Sequence, residues 1–145
     1  VARELDIENK LRSLGINLAI QGELIGEGIQ GNKLNIKGHT VRFFNVFDIN
    51  KFEYLSFNEF TYLLGRLNLP VVPLISSDYK LENDIDSIVS RSIIKSCLNN
   101  NVWAEGIVIR PLREKIDLLL SNENFNNGRV SFKAINPEFL LKYGE

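Results

Sequence analysis

Leu18-Ala19-Ile20-Gln21-Gly22-Glu23-Leu24-Ile25-Gly26-Glu27-Gly28-Ile29-Gln30-Gly31-Asn32 is the stretch on which the fold turns. From Ile16 to Ile25 apolar residues partly alternate with polar ones, the period of a half-buried strand, and Gly26, Gly28 and Gly31 then crowd into a loop. Beyond it, Lys33 to Lys37 and Thr40 to Ile49 read as two more strands, so the expectation is an antiparallel sheet with a glycine-rich turn. Upstream, Leu5, Ile7, Leu11 and Leu14 recur at roughly helical spacing. This predicts a short helix from Glu4 to Leu14 that Gly15 is suited to end.

Downstream, Ser56-Phe57-Asn58-Glu59 has the form of a capping box and predicts a helix through Leu67. Pro70 and Pro73 bracket a short extended piece, Val71 to Ile75. Ile85, Val89, Ile93 and Cys97 recur every four residues, with Ile88, Ile94 and Leu98 widening the stripe, which predicts one longer helix with Cys97 in the core. Val102 to Arg110 returns to strand character and stops at Pro111, while the asparagine-rich Ser121 to Gly128 reads as a loop. A last strand, Arg129 to Ile135, runs into Asn136-Pro137, an N-cap followed by proline at the first helical position, and a final helix from Glu138 to Tyr143.

At 145 residues, 44% of them hydrophobic, the chain is long enough for one compact core. Seventeen basic against eighteen acidic residues leave a net charge of −1 without long blocks of either sign, so any nucleic-acid contact must come from local geometry. The single cysteine, Cys97, makes no internal disulfide and no CxxC framework. That fits a reducing, intracellular and cytoplasmic setting. No apolar run approaches membrane-spanning length, and Val1 to Asp6 has neither the basic start nor the apolar core of a signal peptide.

Four segments stand out by their order: Gln21-Gly22-Glu23-Leu24-Ile25-Gly26, Phe44-Asn45-Val46-Phe47-Asp48-Ile49, Glu105-Gly106-Ile107-Val108-Ile109-Arg110 and Ser131-Phe132-Lys133-Ala134-Ile135-Asn136. The series resembles motifs III, IIIa, IV and V of the covalent nucleotidyltransferases, which comprise DNA ligases, RNA ligases and mRNA capping enzymes. The likeness runs from about Leu18 to Tyr143. The wording from Gly22 to Asn32 is closest to ATP-dependent RNA ligases, whose third motif is typically followed by a Gly-Ile-Gln loop. The resemblance implies an α+β fold, in which residues 1–145 form the carboxy-terminal part of one antiparallel-sheet nucleotidyltransferase domain of the ATP-grasp-like ligase type.

In that family a lysine attacks the α-phosphate of ATP, AMP passes to a 5′-phosphate, and a 3′-hydroxyl displaces the AMP, sealing or repairing RNA. Each step spreads charge over phosphate oxygens, which calls for positioned cations and a divalent metal, magnesium or manganese. The resemblance assigns Glu23 to the ribose hydroxyls of the adenylate, with a solvated strand-end glutamate as the alternative. It assigns an aromatic of the second segment to the purine; Phe47, directly before Asp48, matches better than Phe44, with core packing as the alternative for either. Glu105 is expected beside the nucleotide and the metal, and Lys133 at the α-phosphate. Arg110, by strand alternation on the face opposite Glu105, is expected either at phosphate or nucleic acid, or as a solvated strand end. The family pattern places two lysines one residue apart, yet the first position here is Ser131; either a base elsewhere, such as Arg129, supplies the charge, or the contact is weaker. Asp48 either binds metal or caps the strand end. His39 reads as an exposed turn residue and Trp103 as core.

The family nucleophile lies in a Lys-x-Asp/His/Asn-Gly motif upstream of the third motif, and this sequence contains none. The chain by itself is therefore expected not to form lysyl-AMP. Either it is a fragment of a full ligase or it is a degenerate module that binds without reacting. Expected partners are RNA with 3′-hydroxyl and 5′-phosphate ends, and an upstream fragment or second copy that covers exposed strand edges. The rival readings are a DNA ligase, a capping guanylyltransferase, or a non-catalytic nucleotide- or RNA-binding module.

Overall fold

The computed structural model describes residues 1–121 and 128–144. Helix α1 (Ile7–Arg12) precedes β1 (Leu18–Gly26), β2 (His39–Asp48) and β3 (Glu53–Tyr54). Then come α2 (Phe57–Arg66), α3 (Ile85–Arg91), β4 (Lys95–Ser96), β5 (Asn99–Trp103), β6 (Gly106–Ile109), β7 (Phe132–Ile135) and α4 (Pro137–Tyr143). All strand ladders are antiparallel: a three-stranded sheet β1-β2-β3 and two hairpins, β4-β5 and β6-β7.

The main core lies on one face of β2. Val41, Phe43 and Val46 pack against Phe60, Leu64 and Leu67 of α2 and its C-terminal end, with Leu69 beside them. Apolar alternation on the strand meets the apolar stripe of the helix, and Leu64 loses all contact with solvent. Ser56 and Glu59 start α2 as expected, the Glu59 carboxylate accepting from the Ser56 amide at 2.9 Å and from its hydroxyl at 2.6 Å. Those bonds hold the Glu59 carboxyl below its ordinary range.

One irregularity decides what faces outward from this core. Gln21 pairs with Asn45 and Gly22 with Phe43, so Phe44 is an extra residue bulged out of β2. Gly22 is required where the strands close up, because a Cβ there would lie 2.7 Å from Phe43 Cδ1 and 2.9 Å from the Arg42 carbonyl oxygen. Along the other edge of β2, the Phe43 amide donates to Pro70 and the Val72 amide donates to Phe43, both at 2.9 Å. The extended piece after Pro70 thus covers an edge that would otherwise be open.

Several expected elements are corrected. Lys33 to Lys37 is no strand: a 3-10 turn at Gln30–Asn32 leads into a loop in which the Asn32 amide bonds both backbone groups of Ile36, at 2.9 and 3.0 Å. The first helix spans only Ile7–Arg12. The stripe from Ile85 to Leu98 is helical only to Arg91, after which the chain enters β4 and β5. Polar side chains here bond backbone in ways a helix forbids: the buried Ser92 hydroxyl reaches the Ile135 carbonyl at 3.0 Å, and Ser96 and Asn99 accept the amides of Leu98 and Asn101. Cys97 therefore sits exposed in a hairpin turn, not in the core.

Val102 to Arg110 is not one strand either but breaks at Ala104 and Glu105. Trp103 is half-buried, with Lys95 Nζ 3.5 Å from its ring centre. Of the last expected strand only Phe132–Ile135 forms β7, while Arg129 makes an isolated bridge to Ile116. Most of the expected loop from Ser121 to Gly128 lies outside the described residues. The final helix begins as expected, Asn136 accepting the Glu138 amide at 3.0 Å with proline next to it. No helix among the described residues is long and apolar enough to cross a membrane.

Two substitutions check this account. A Cβ on Gly106 would lie 2.1 Å from the Ala134 carbonyl oxygen, so Gly106→Ala forces β6 from β7. The expected cost is about 1–3 kcal/mol or more in a denaturation experiment. Glu59→Gln is expected to lower stability by about 0.3–1 kcal/mol at neutral pH. Because the folded carboxyl is the stronger acid, the gap should close as pH falls through that lowered pKa.

Candidate active site

The β6-β7 hairpin faces the main sheet across a cleft of about 1250 Å³, walled on the sheet side by the face that carries Glu23 and Asn45 and reaching Phe57, Phe60 and Thr61 of α2. On β1, strict alternation sends Gln21, Glu23 and Ile25 to this face, and Glu23 and Ile25 line the cleft. On β2 the bulge places Phe44 and Asn45 in succession on the cleft wall. Glu23, paired across the strands with Arg42, is exposed on this wall.

The bulge also changes the question of Phe44 against Phe47. Phe44 lines the cleft and Phe47 does not. Phe47 lies further along the same sheet face, paired with Tyr54, its ring edge-on to Tyr54 at 5.0 Å and to Phe52 at 5.3 Å. Arg129 stacks on Tyr54, its guanidinium carbon 3.8 Å from the ring centre, and that places Phe47 next to the polar cluster described below.

Glu105 lies immediately before β6 and Lys133 within β7, and their side chains form an ion pair, each about half exposed. The backbone under this pair is clamped. Asn136, fully buried, donates its side-chain amide to Ala104 at 2.9 Å and Ile94 at 3.3 Å, while its backbone amide donates to Glu105 at 2.8 Å. The break in the strand is thus what frees Glu105 from alternation and turns it toward Lys133.

The hairpin is tied to the main sheet by a residue whose role the sequence did not expose. Asn45, buried, donates its amide to Gln21 Oε1 at 2.9 Å and accepts on Oδ1 from Arg110 at 2.7 Å and Arg129 at 3.0 Å. Arg129 also holds Glu114 in a bidentate pair at 2.6 and 2.7 Å. Arg110 bonds the Phe44 carbonyl at 3.1 Å and the Ser131 hydroxyl at 3.2 Å. Arg110 is therefore not a solvated strand end. Nor is it cut off from the Glu105 pair: continuing the register one residue past Ile109–Phe132 sets it opposite Ser131, whose hydroxyl it bonds, on the face that also carries Lys133. Burial, then the adjacent Arg129 charge, lower its pKa from the ordinary arginine value.

Asp48 accepts the amides of Asn50 and Lys51, both at 3.0 Å, so it caps the turn after β2. His39 opens β2 exposed, its Nε2 2.8 Å from the Glu27 carbonyl. Among the described residues no three histidine, cysteine or carboxylate side chains gather into a metal cage. Glu105 fits a divalent ion as a single carboxylate, with phosphate oxygens and water completing the shell, a common arrangement for magnesium-like ions.

Antiparallel sheets flanked by helices, with Glu23, Glu105 and Lys133 on the walls of one cleft, define a partial nucleotidyltransferase domain of the ligase type. The sequence model of the RNA ligase family matches residues 1–135, and the chain belongs to that family. It is 34% identical to Naegleria gruberi RNA ligase, whose pyrophosphate complex superposes with a TM-score of 0.82. The same score is found for a lysine-to-methionine variant of that enzyme with AMP and Mn, and 0.83 for a glutamate-to-alanine variant with ATP and Mn. The match covers 99% of this chain and 39% of the pyrophosphate-bound one, so the chain spans about two fifths of that enzyme. No curated protein matches significantly.

The Asn45 cluster generates a prediction. Asn45→Ala leaves two guanidinium groups without their shared acceptor and is expected to cost about 2–4 kcal/mol. Asn45→Asp keeps an acceptor for both arginines and should retain most of the stability at neutral pH. Chemical denaturation of both variants checks this; an alanine variant as stable as the parent would remove Asn45 from its tying role.

Proposed function

We propose that this chain provides the nucleotide-binding part of an ATP-dependent RNA ligase that joins 3′-hydroxyl and 5′-phosphate RNA ends. The observation that carries the reading is the Glu105 and Lys133 pair, held at one cleft whose facing wall presents Glu23. ATP is the adenylyl donor, and Glu23 binds the ribose. Either Phe44, on the cleft wall, or Phe47, beside it, stacks on the purine. Lys133 stabilises charge on the α-phosphate as a lysine amine attacks it and pyrophosphate leaves. Glu105 holds the metal ion, manganese or magnesium, which neutralises phosphate charge. AMP then moves to the RNA 5′-phosphate, and the 3′-hydroxyl displaces it. Arg110 contacts phosphate of the nucleotide or the RNA. That the Naegleria enzyme has been seen with ATP, AMP, pyrophosphate and Mn supports these assignments.

The attacking lysine comes from outside these residues, because no Lys-x-Asp/His/Asn-Gly motif occurs here. We place the protein in the cytoplasm, with the nucleophile-bearing segment as its partner. Incubation of the 145-residue chain with labelled ATP should leave it unlabelled; covalent labelling would overturn this view of the nucleophile. A parent protein carrying that motif should be labelled by ATP, and Glu105→Ala or Lys133→Ala should slow labelling about 10²–10³-fold. Labelling by GTP alone would sink the ligase reading in favour of a capping enzyme.

A further inference from the structure

Arg110 is a half-buried cation for which burial and the adjacent Arg129 charge outweigh the attraction of nearby Glu114. It has no carboxylate within ion-pair distance among the described residues, since the nearby Glu114 is held bidentately by Arg129. Its Nε and Nη1 are bound to Ser131, the Phe44 carbonyl and Asn45, all neutral acceptors, and Nη2 has no partner among the described residues. A guanidinium removed from water without a counter-charge is costly, so the arrangement suits an anion that arrives from outside. Lys133 shares its face of the hairpin: Val108 pairs with Lys133, and Arg110 would fall opposite Ser131, two residues further along. Such diagonal neighbours lie about 7–8 Å apart, within reach of one tetrahedral oxyanion for long side chains. Ser131 accepts from Arg110 Nε, which leaves its own O–H free to donate.

We propose that Arg110, Ser131 and Lys133 form one phosphoryl-binding site, in which Arg110, directly after β6, supplies the positive charge that position 131, directly before β7, lacks. The site binds a doubly charged phosphoryl group, with Arg110 Nη2 and the Ser131 hydroxyl donating on one side and the Lys133 ammonium on the other. The proposal rests on the nucleotide-binding reading of this cleft and deepens it. Two sources offer the same chemistry, the phosphates of ATP and the 5′-phosphate of RNA.

Calorimetric titration of the full chain with ATP, adenosine, and one RNA oligonucleotide in 5′-phosphorylated and 5′-hydroxyl forms separates the cases. Arg110→Gln is expected to weaken either ATP or the 5′-phosphorylated RNA by about 10- to 100-fold while leaving the phosphate-free counterpart unchanged. The affected ligand identifies the source. Arg110→Lys should recover part of the loss, because a compact ammonium keeps the charge without the fork. Arg110→Gln also disturbs the bonds to Asn45, so its melting temperature is recorded; should it unfold, Ser131→Ala, which spares those bonds, is expected to weaken the same ligand several-fold. The proposal is overturned if folded variants bind both phosphorylated ligands as the parent does, or if the parent does not prefer phosphorylated over phosphate-free ligands. Retained adenosine binding in that event leaves the nucleotide reading standing, whereas failure of a parent ligase to be labelled by ATP removes the reading itself.

Discussion

The buried amide of Asn45 is the constraint on which the site depends. One side chain accepts hydrogen bonds from two arginines of the β6-β7 hairpin and donates one to Gln21 on β1, so residues 21, 45, 110 and 129 meet at a single point. A neutral acceptor suits this place. Two guanidinium groups repel, and a shared amide oxygen holds them together while Glu114 balances one of them. Together with the Arg110 bond to the Phe44 carbonyl, it fixes the distance between the wall that carries Glu23 and the hairpin that carries Lys133.

Asn45 reaches that position only because β2 carries an extra residue. The bulge at Phe44 puts two successive side chains on the cleft face and returns Val46 to the core, which lets one strand serve both surfaces. Gly22 and Gly106 act similarly on the partner strands, each allowing a neighbouring backbone to come closer than any side chain would permit. The glycines in the first and third motifs are thus steric requirements of the two ladders that flank the cleft.

A second polar clamp works at the other end of the hairpin. Asn136 caps α4, ties down the broken segment at Ala104 and bonds the backbone of Glu105, so the carboxylate is aimed by three contacts that do not involve its own side chain. Both clamps are asparagines at motif edges. An amide can donate and accept at once without bringing charge into the interior, which a carboxylate or lysine cannot do.

Much of this was legible in the residues alone. The period of two from Leu18 to Ile25, the capping box at Ser56 and the Asn136-Pro137 start each express a local rule, and local rules survive folding. The four ordered segments implied the family and fold that the chain has, and the Glu23, Glu105 and Lys133 they singled out line one cleft. What failed were inferences that extend a local pattern too far. The apolar stripe from Ile85 to Cys97 was helical in period, but Ser92, Ser96 and Asn99 find better backbone partners in a hairpin, which leaves Cys97 in solvent. Alternation set Arg110 apart from Glu105, but a break in the strand reset the count. The meeting of Gln21, Asn45, Arg110 and Arg129 spans more than a hundred residues of chain, and hydrogen bonds between them exist only once two separate ladders have been brought face to face. Periodicity and capping belong to neighbours in sequence and so were determined there; the bulge, the broken strand and the shared amide depend on which strands pair, and only the tertiary structure decided them.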